Sequence, residues 1–128
     1  MEKKTKILVV DDEVDLLEIL TKRLQANNYE VITARDGADA LEKFSKEKPD
    51  AILLDIMMPR IDGIDVLRRI RKENANIPIF MITAFSNEER FKLANTLNAS
   101  GFIMKTDDLQ AQIKNITAAI SIAAKYKK

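Results

Sequence analysis

Residues 51–63 read AILLDIMMPRIDG. Four apolar or small residues run straight into one carboxylate, Asp55, and the chain then breaks at Met57-Met58-Pro59. Near-continuous apolarity over 51–54 suits a strand covered on both faces, as in a parallel sheet. An acid at the end of such a strand must be solvated, paired or metal-bound, because burying it alone is prohibitively costly. The stretch therefore predicts a central strand whose carboxyl end delivers Asp55 to a polar site.

Four more runs of the same kind lie at 6–10 (KILVV), 30–34 (EVITA), 79–83 (IFMIT) and 101–104 (GFIM). Helical spacing fills the intervals. Val14, Leu17, Leu20 and Leu24 form one stripe, Ala38, Leu41 and Phe44 a second, and Ile64, Leu67 and Ile70 a third. Phe91, Ala94 and Leu97 form a fourth, and Leu109, Ile113, Ile116 and Ile120 a fifth. Asp36-Gly37 opens the second helix, Pro49 closes the loop after it, and Pro78 stands where a strand tolerates a missing N–H. Ser86 and Glu89 have the spacing of a capping box ahead of the fourth helix. Five strands alternating with five helices through short connections predict a doubly wound α/β fold with helices on both faces. At 128 residues, 1–128 is expected to be one domain with no room for a second.

Composition narrows the chemistry. Lys+Arg 21 against Asp+Glu 20 leaves a net charge of +1, without the basic footprint of a nucleic-acid binder, so no direct nucleic-acid binding is expected. The chain has no Cys and no His, which removes disulfides, thiolate or histidine metal sites and histidine bases. The apolar runs are too short to span a bilayer and MEKKTK is not followed by a signal-peptide core, so a cytoplasmic protein is expected. Any chemistry must come from carboxylates, hydroxyls, lysines and backbone.

Those groups collect at strand ends. Asp11, Asp12 and Glu13 follow the first strand, Asp55 the third, Thr83 ends the fourth and Lys105 follows the fifth. The carboxyl edge of an open α/β sheet is where ligands bind. If the strand order is 2-1-3-4-5, Asp11, Asp12 and Asp55 meet above strands one and three, with Thr83 and Lys105 beside them. Three carboxylates in one crevice demand a cation, and an all-oxygen set favours a hard ion such as Mg²⁺. A carboxylate held by such an ion and flanked by Lys⁺ and a hydroxyl can act as nucleophile toward a phosphoryl group. Taken singly the same residues have plainer readings. Asp11-Asp12-Glu13 also suits a helix N-terminus, Thr83 a strand, Lys105 a solvated loop, and Met57, Met58 and Phe102 the core.

Taken together, LVVDDE, LLDIMMPRIDG, ITA and Lys105, in this order and spacing from Lys6 to about Lys125, resemble the receiver domain of two-component response regulators. The resemblance implies a flavodoxin-like (βα)₅ fold of strand order 2-1-3-4-5. It implies Asp55 as phosphoacceptor, and Asp12, Asp55 and the main-chain carbonyl of Met57 as ligands of Mg²⁺ or Mn²⁺, with Asp11 acting mainly through a metal-bound water. Thr83 matches the hydroxyl that swings to the phosphoryl group, Phe102 the aromatic that moves with it, and Lys105 the cation on a phosphoryl oxygen. Ala84 matches the small residue that leaves access to the acceptor. The implied partners are a histidine kinase or histidine phosphotransfer protein, and a protein target on the surface of the fourth helix, fifth strand and fifth helix. The implied catalysis goes no further than self-phosphorylation from small donors and self-dephosphorylation.

The chain departs from the family in two places. Thr106 follows Lys105 where the family has a proline joined by a cis peptide, and a non-proline cis bond costs about 3 kcal/mol. Met57 and Phe85 stand two residues after Asp55 and Thr83, where they are expected to screen the acyl phosphate and lengthen its life. Rival readings fit less of the chain. A haloacid-dehalogenase-type phosphatase wants an acid at position 57, and a nucleotide binder wants a Gly-rich loop where Asp11-Asp12-Glu13 would repel phosphate. A degenerate receiver that only binds is opposed by the intact polar set, and a receiver fragment of a larger DNA-binding regulator shares every motif.

Overall fold

Parity along the strands decides which residue meets which layer of helices. The computed structural model describes residues 4–58, 60–83, 88–105 and 108–125. Its strands are β1 (Lys6–Val10), β2 (Glu30–Ala34), β3 (Ala51–Asp55), β4 (Ile79–Thr83) and β5 (Gly101–Met104), joined in the order β2-β1-β3-β4-β5. Every neighbouring pair is parallel. Between them run α1 (Val14–Ala26), α2 (Gly37–Glu47), α3 (Gly63–Glu73) and α4 (Glu88–Thr96), and α5 (Leu109–Lys125) follows β5.

Side chains alternate across a strand with a period of two. Leu8 and Val10, Ile52 and Leu54, and Ile79 and Met81 accordingly pack on one face with Ala40, Leu67, Ile70 and Ala94, the apolar sides of α2, α3 and α4. Ile7, Val9, Leu53 and Ile82 pack on the other face with Leu17, Leu20, Leu24, Ile116 and Ile120 of α1 and α5. Fully burying each Leu or Ile stabilises by about 1.5–3 kcal/mol before chain entropy is counted. This two-sided cover explains why the central strands are greasy throughout rather than alternating.

The expected doubly wound fold and strand order are therefore present, with β3 running one residue farther, onto Asp55 itself. Two stripe residues are corrected. Val14 is 48% exposed while Leu16 takes its place in the core, and Ala38 is exposed while Ala40 is buried. At 100° per residue, both lie roughly 100° round the helix from the middle of the buried stripe. Spacing to one apolar neighbour had not defined the phase. Asp36 caps α2 by accepting from Asp39 N at 2.8 Å, as expected. Ser86, and with it the expected capping box, lies outside the described residues, as do Pro59, Ala84, Phe85 and Thr106.

Candidate functional site

Three backbone hydrogen bonds just past the regular strands hold the key residues in place. Asp11 N donates to Ala34 O at 3.1 Å, Ile56 N to Ile82 O at 3.0 Å, and Lys105 N to Thr83 O at 2.7 Å. Each extends a ladder and so fixes an acid or a lysine on the same carboxyl edge. After Asp55 the chain turns back tightly, and Gly63 N donates to Ile56 O at 2.8 Å. A Cβ at position 63 would lie 2.2 Å from Asp55 O, so only glycine lets α3 start against the backbone of the acid. Asp62 caps that helix, its Oδ1 accepting from Ile64 N at 2.9 Å and Asp65 N at 3.2 Å.

The side chains converge. Asp11 is 0% and Asp55 2% exposed, whereas Asp12 is open to solvent. Carboxylate oxygens of Asp11, Asp12 and Asp55 lie within 4.8 Å of one another. Lys105 Nζ stands 3.2 Å from Asp55 Oδ2, 3.1 Å from Asp11 Oδ2 and 2.7 Å from Glu13 Oε1. The other oxygen of Asp55 accepts from Met57 N at 3.2 Å, and Asp11 Oδ1 accepts from Glu13 N at 2.9 Å. The acids thus take backbone donors for themselves, and the side chain of Glu13, the N-cap of α1, caps nothing.

Burial, and then the charge of Asp11, push the Asp55 carboxyl up to about 7, against the opposing pull of Lys105 and the Met57 N–H. Burial likewise raises Asp11, partly offset by the Glu13 N–H and the charge of Lys105. Burial alone would lower Lys105, but the hydrogen bond to Glu13 and the charges of Asp11 and Asp55 outweigh it and raise it. The site sets two buried acids, whose charged forms burial disfavours, against one ammonium whose charged form they favour.

The donor set fits a hard cation. Asp11 Oδ2 is buried and, among the described residues, accepts no hydrogen bond and has only the charge contact to Lys105, and its carboxylate belongs to the three-carboxylate group. Such all-oxygen groups suit Mg²⁺ or a similar ion.

The remaining expected residues fall around this centre. Thr83, 2% exposed, ends β4 beside Met104, one step beyond the Asp55–Ile82 pair. It continues the series of Ile79 and Met81, the α2–α4 face of the sheet. Phe102 pairs with Met81 across the β4–β5 ladder and packs on that same face, its ring edge-on to Phe91 of α4 at 4.9 Å. Met57 is exposed. Two partners escaped sequence reasoning. Glu13 reaches Lys105 across 92 residues, and Arg90 of α4 reaches Asp62 at 2.6 Å. The acid after Asp11-Asp12 and the Asp before Gly63 were visible signals, but their partners depend on tertiary approach.

Known proteins resemble this chain in sequence and fold. The family model described as "Response regulator receiver domain" matches residues 7–117. The alkaline phosphatase synthesis transcriptional regulatory protein PhoP of Bacillus subtilis (strain 168) is 41% identical over 122 residues, covering 93% of this chain and 51% of that protein. Response regulator MprA of Mycobacterium leprae (strain TN) is 35% identical over 115 residues, covering 90% and 50%. The chain thus spans about half the length of these curated relatives. The Vibrio cholerae chemotaxis protein CheY4 superposes with a TM-score of 0.82 at 28% identity, over 91% of this chain and 99% of that one. With the strand order, the acidic edge and the family match in agreement, the chain belongs to the receiver domains of two-component response regulators.

Proposed function

We propose that the chain works as one receiver unit in which Asp55 accepts a phosphoryl group from a partner histidine kinase or histidine phosphotransfer protein. The observation that carries this reading is the meeting of Asp11, Asp12 and Asp55 beside Lys105 at a sheet edge. Asp11, Asp12, Asp55 and the main-chain carbonyl of Met57 are the groups that would hold Mg²⁺. When bound, that ion neutralises the crowded carboxylates and the charge of the incoming group. Asp55, fixed by the Ile56–Ile82 bond, presents its carboxylate to phosphorus, and the Met57 N–H and Lys105 hold its two oxygens in place. Lys105 and the Thr83 hydroxyl donate to the transferred group.

The output follows from the packing. Thr83 and Phe102 address the same face of the sheet, and Phe102 touches Phe91 of α4. Among the described residues of α4 only Ala94 is fully buried, so this helix is cheap to shift. Exposed Leu93 and Met104 give the α4-β5-α5 surface apolar contacts for a protein target. Met57, exposed two residues after Asp55, screens the acyl phosphate from water, together with Phe85. Dephosphorylation of a variant carrying Met57→Asn and Phe85→Ala should be faster than wild type, and equal rates would discard that part.

A second reading has the chain serving as the receiver part of a transcriptional regulator. The names of its relatives and its half-length match to them favour it. One experiment tests the central proposal. The chain is incubated with acetyl phosphate and Mg²⁺ and weighed intact, with Asp55→Asn alongside. One added phosphoryl on wild type and none on the variant is expected; an unmodified wild type would leave a binding module instead.

A further inference from the structure

Lys105 is claimed by more anions than it can serve during the reaction. Its ammonium has three N–H donors. Three carboxylate oxygens stand within reach, and Glu13 Oε1 at 2.7 Å is nearer than Asp11 Oδ2 at 3.1 Å or Asp55 Oδ2 at 3.2 Å. The three acids differ in what release would cost them. Asp11 and Asp55 are buried, and a carboxylate set free there finds no water. The side chain of Glu13 is 60% exposed and exchanges an ammonium for water at little cost. Glu13 is also outside the three-carboxylate group and caps nothing on α1. Lys105 is the one ion-pair partner of Glu13 among the described residues.

We infer that Glu13 is a positioning residue that occupies, before phosphorylation, the place on Lys105 that the incoming phosphoryl group takes. This rests on Asp55 being the phosphoacceptor. In the reaction with acetyl phosphate, an oxygen of Asp55 forms a new bond to phosphorus as the bond from phosphorus to the acetyl oxygen breaks. Acetate leaves with the electron pair, and the single charge of Asp55 is replaced by the two of the phosphoryl group. Lys105 must turn a donor toward that new charge. Glu13 and Asp55 take one donor each and Asp11 Oδ2 crowds the ammonium at 3.1 Å by charge alone, so one acid has to yield, and Glu13 is the one that leaves into water. Glu13 therefore restrains phosphorylation, and its removal leaves Lys105 already available.

The test compares wild type, Glu13→Gln, Glu13→Asp and Asp15→Asn with acetyl phosphate at saturating Mg²⁺. Asp15 is an exposed acid in the same first turn of α1 and has no ion pair among the described residues. Glu13→Gln should be phosphorylated roughly three- to fivefold faster, the effect of one exposed ion pair. Glu13→Asp keeps the charge but is one methylene shorter, so it should behave like Glu13→Gln, and Asp15→Asn like wild type. A second readout needs no turnover. Beryllium fluoride, followed by the amide shifts of Met57 and Thr83, should bind Glu13→Gln tighter by a similar factor. A Glu13→Gln variant no faster than wild type overturns the inference alone. An equal gain in Asp15→Asn, or a Glu13→Asp variant like wild type, overturns it in favour of a general field. A wild type that takes no phosphoryl overturns the reading of Asp55, and this inference with it.

Discussion

Lys6 and Lys105 sit at opposite ends of the same sheet, and each faces acids from neighbouring segments. Lys6 Nζ lies 3.5 Å from Glu30, 3.7 Å from Glu47 and 3.0 Å from the Glu47 carbonyl, and its backbone N–H donates to Asp50 at 2.8 Å. Those glutamates are half in water, so the cluster relaxes into solvent and ties strand to loop. Lys105 meets two acids that have no water, and its distances are shorter. The residue types are the same, and burial makes the difference. One end of the sheet is joined by weak, satisfied pairs, while the other stores unneutralised charge that a cation or a phosphoryl group can use.

The comparison can be broken most severely through glycine. Gly63→Ala at the charged end would press a Cβ against the Asp55 carbonyl and should cost about 3 kcal/mol or more in urea denaturation. Gly101→Ala, at the opposite end, meets only the edge of the Phe80 ring at 3.2 Å, which can give, and should cost within about 1 kcal/mol. Equal losses would mean that the crest is no more tightly built than the base.

The lysines themselves come next. Lys105→Met leaves two buried carboxylates facing each other and should destabilise the metal-free protein at pH 8 by about 3 kcal/mol. Lys6→Met should lose under about 1 kcal/mol in the same assay.

A smaller effect is graded by pH. The folded carboxyl of Asp55 titrates at about 7, above its ordinary value of 3.8. Its protonated form is thus favoured by the fold, and that contribution is whole below about pH 4 and lost as pH rises through 7. Metal-free wild type should therefore melt at lower temperature at pH 8 than at pH 5.5. Asp55→Asn should flatten this dependence and be the more stable protein at pH 8. Added Mg²⁺ should restore the wild type at pH 8 and leave Asp55→Asn much less affected. Asp62→Ala, which removes the α3 cap and the Arg90 pair, should cost about 1 kcal/mol. Arg90→Ala alone should cost less, because the cap remains.

The difference between the two ends was only half visible in the sequence. The strands were legible because a parallel sheet covered on both faces leaves unbroken apolar runs such as ILVV and AILL. The acids at Asp11, Asp12 and Asp55 were legible because charge at the ends of two adjacent buried strands needs a partner or a cation. Val14 and Ala38 were misplaced because three or four apolar residues do not define which side of a helix meets the sheet. Glu13 on Lys105 and Arg90 on Asp62 depend on how long side chains cross between elements, which no local pattern encodes. The tightness at Gly63 lies between these cases, since the turn was legible and the 2.2 Å approach was not.

The pleat has a consequence for how such a domain can diverge. Thr83 shares its parity with Met81 on the α2–α4 side, whereas Lys105 shares its parity with Ile103 on the α1 and α5 side. One event on the crest is therefore addressed to two layers that share no side-chain packing through the sheet. Substitutions in one layer can therefore repack that layer while a single peptide plane keeps the other unchanged.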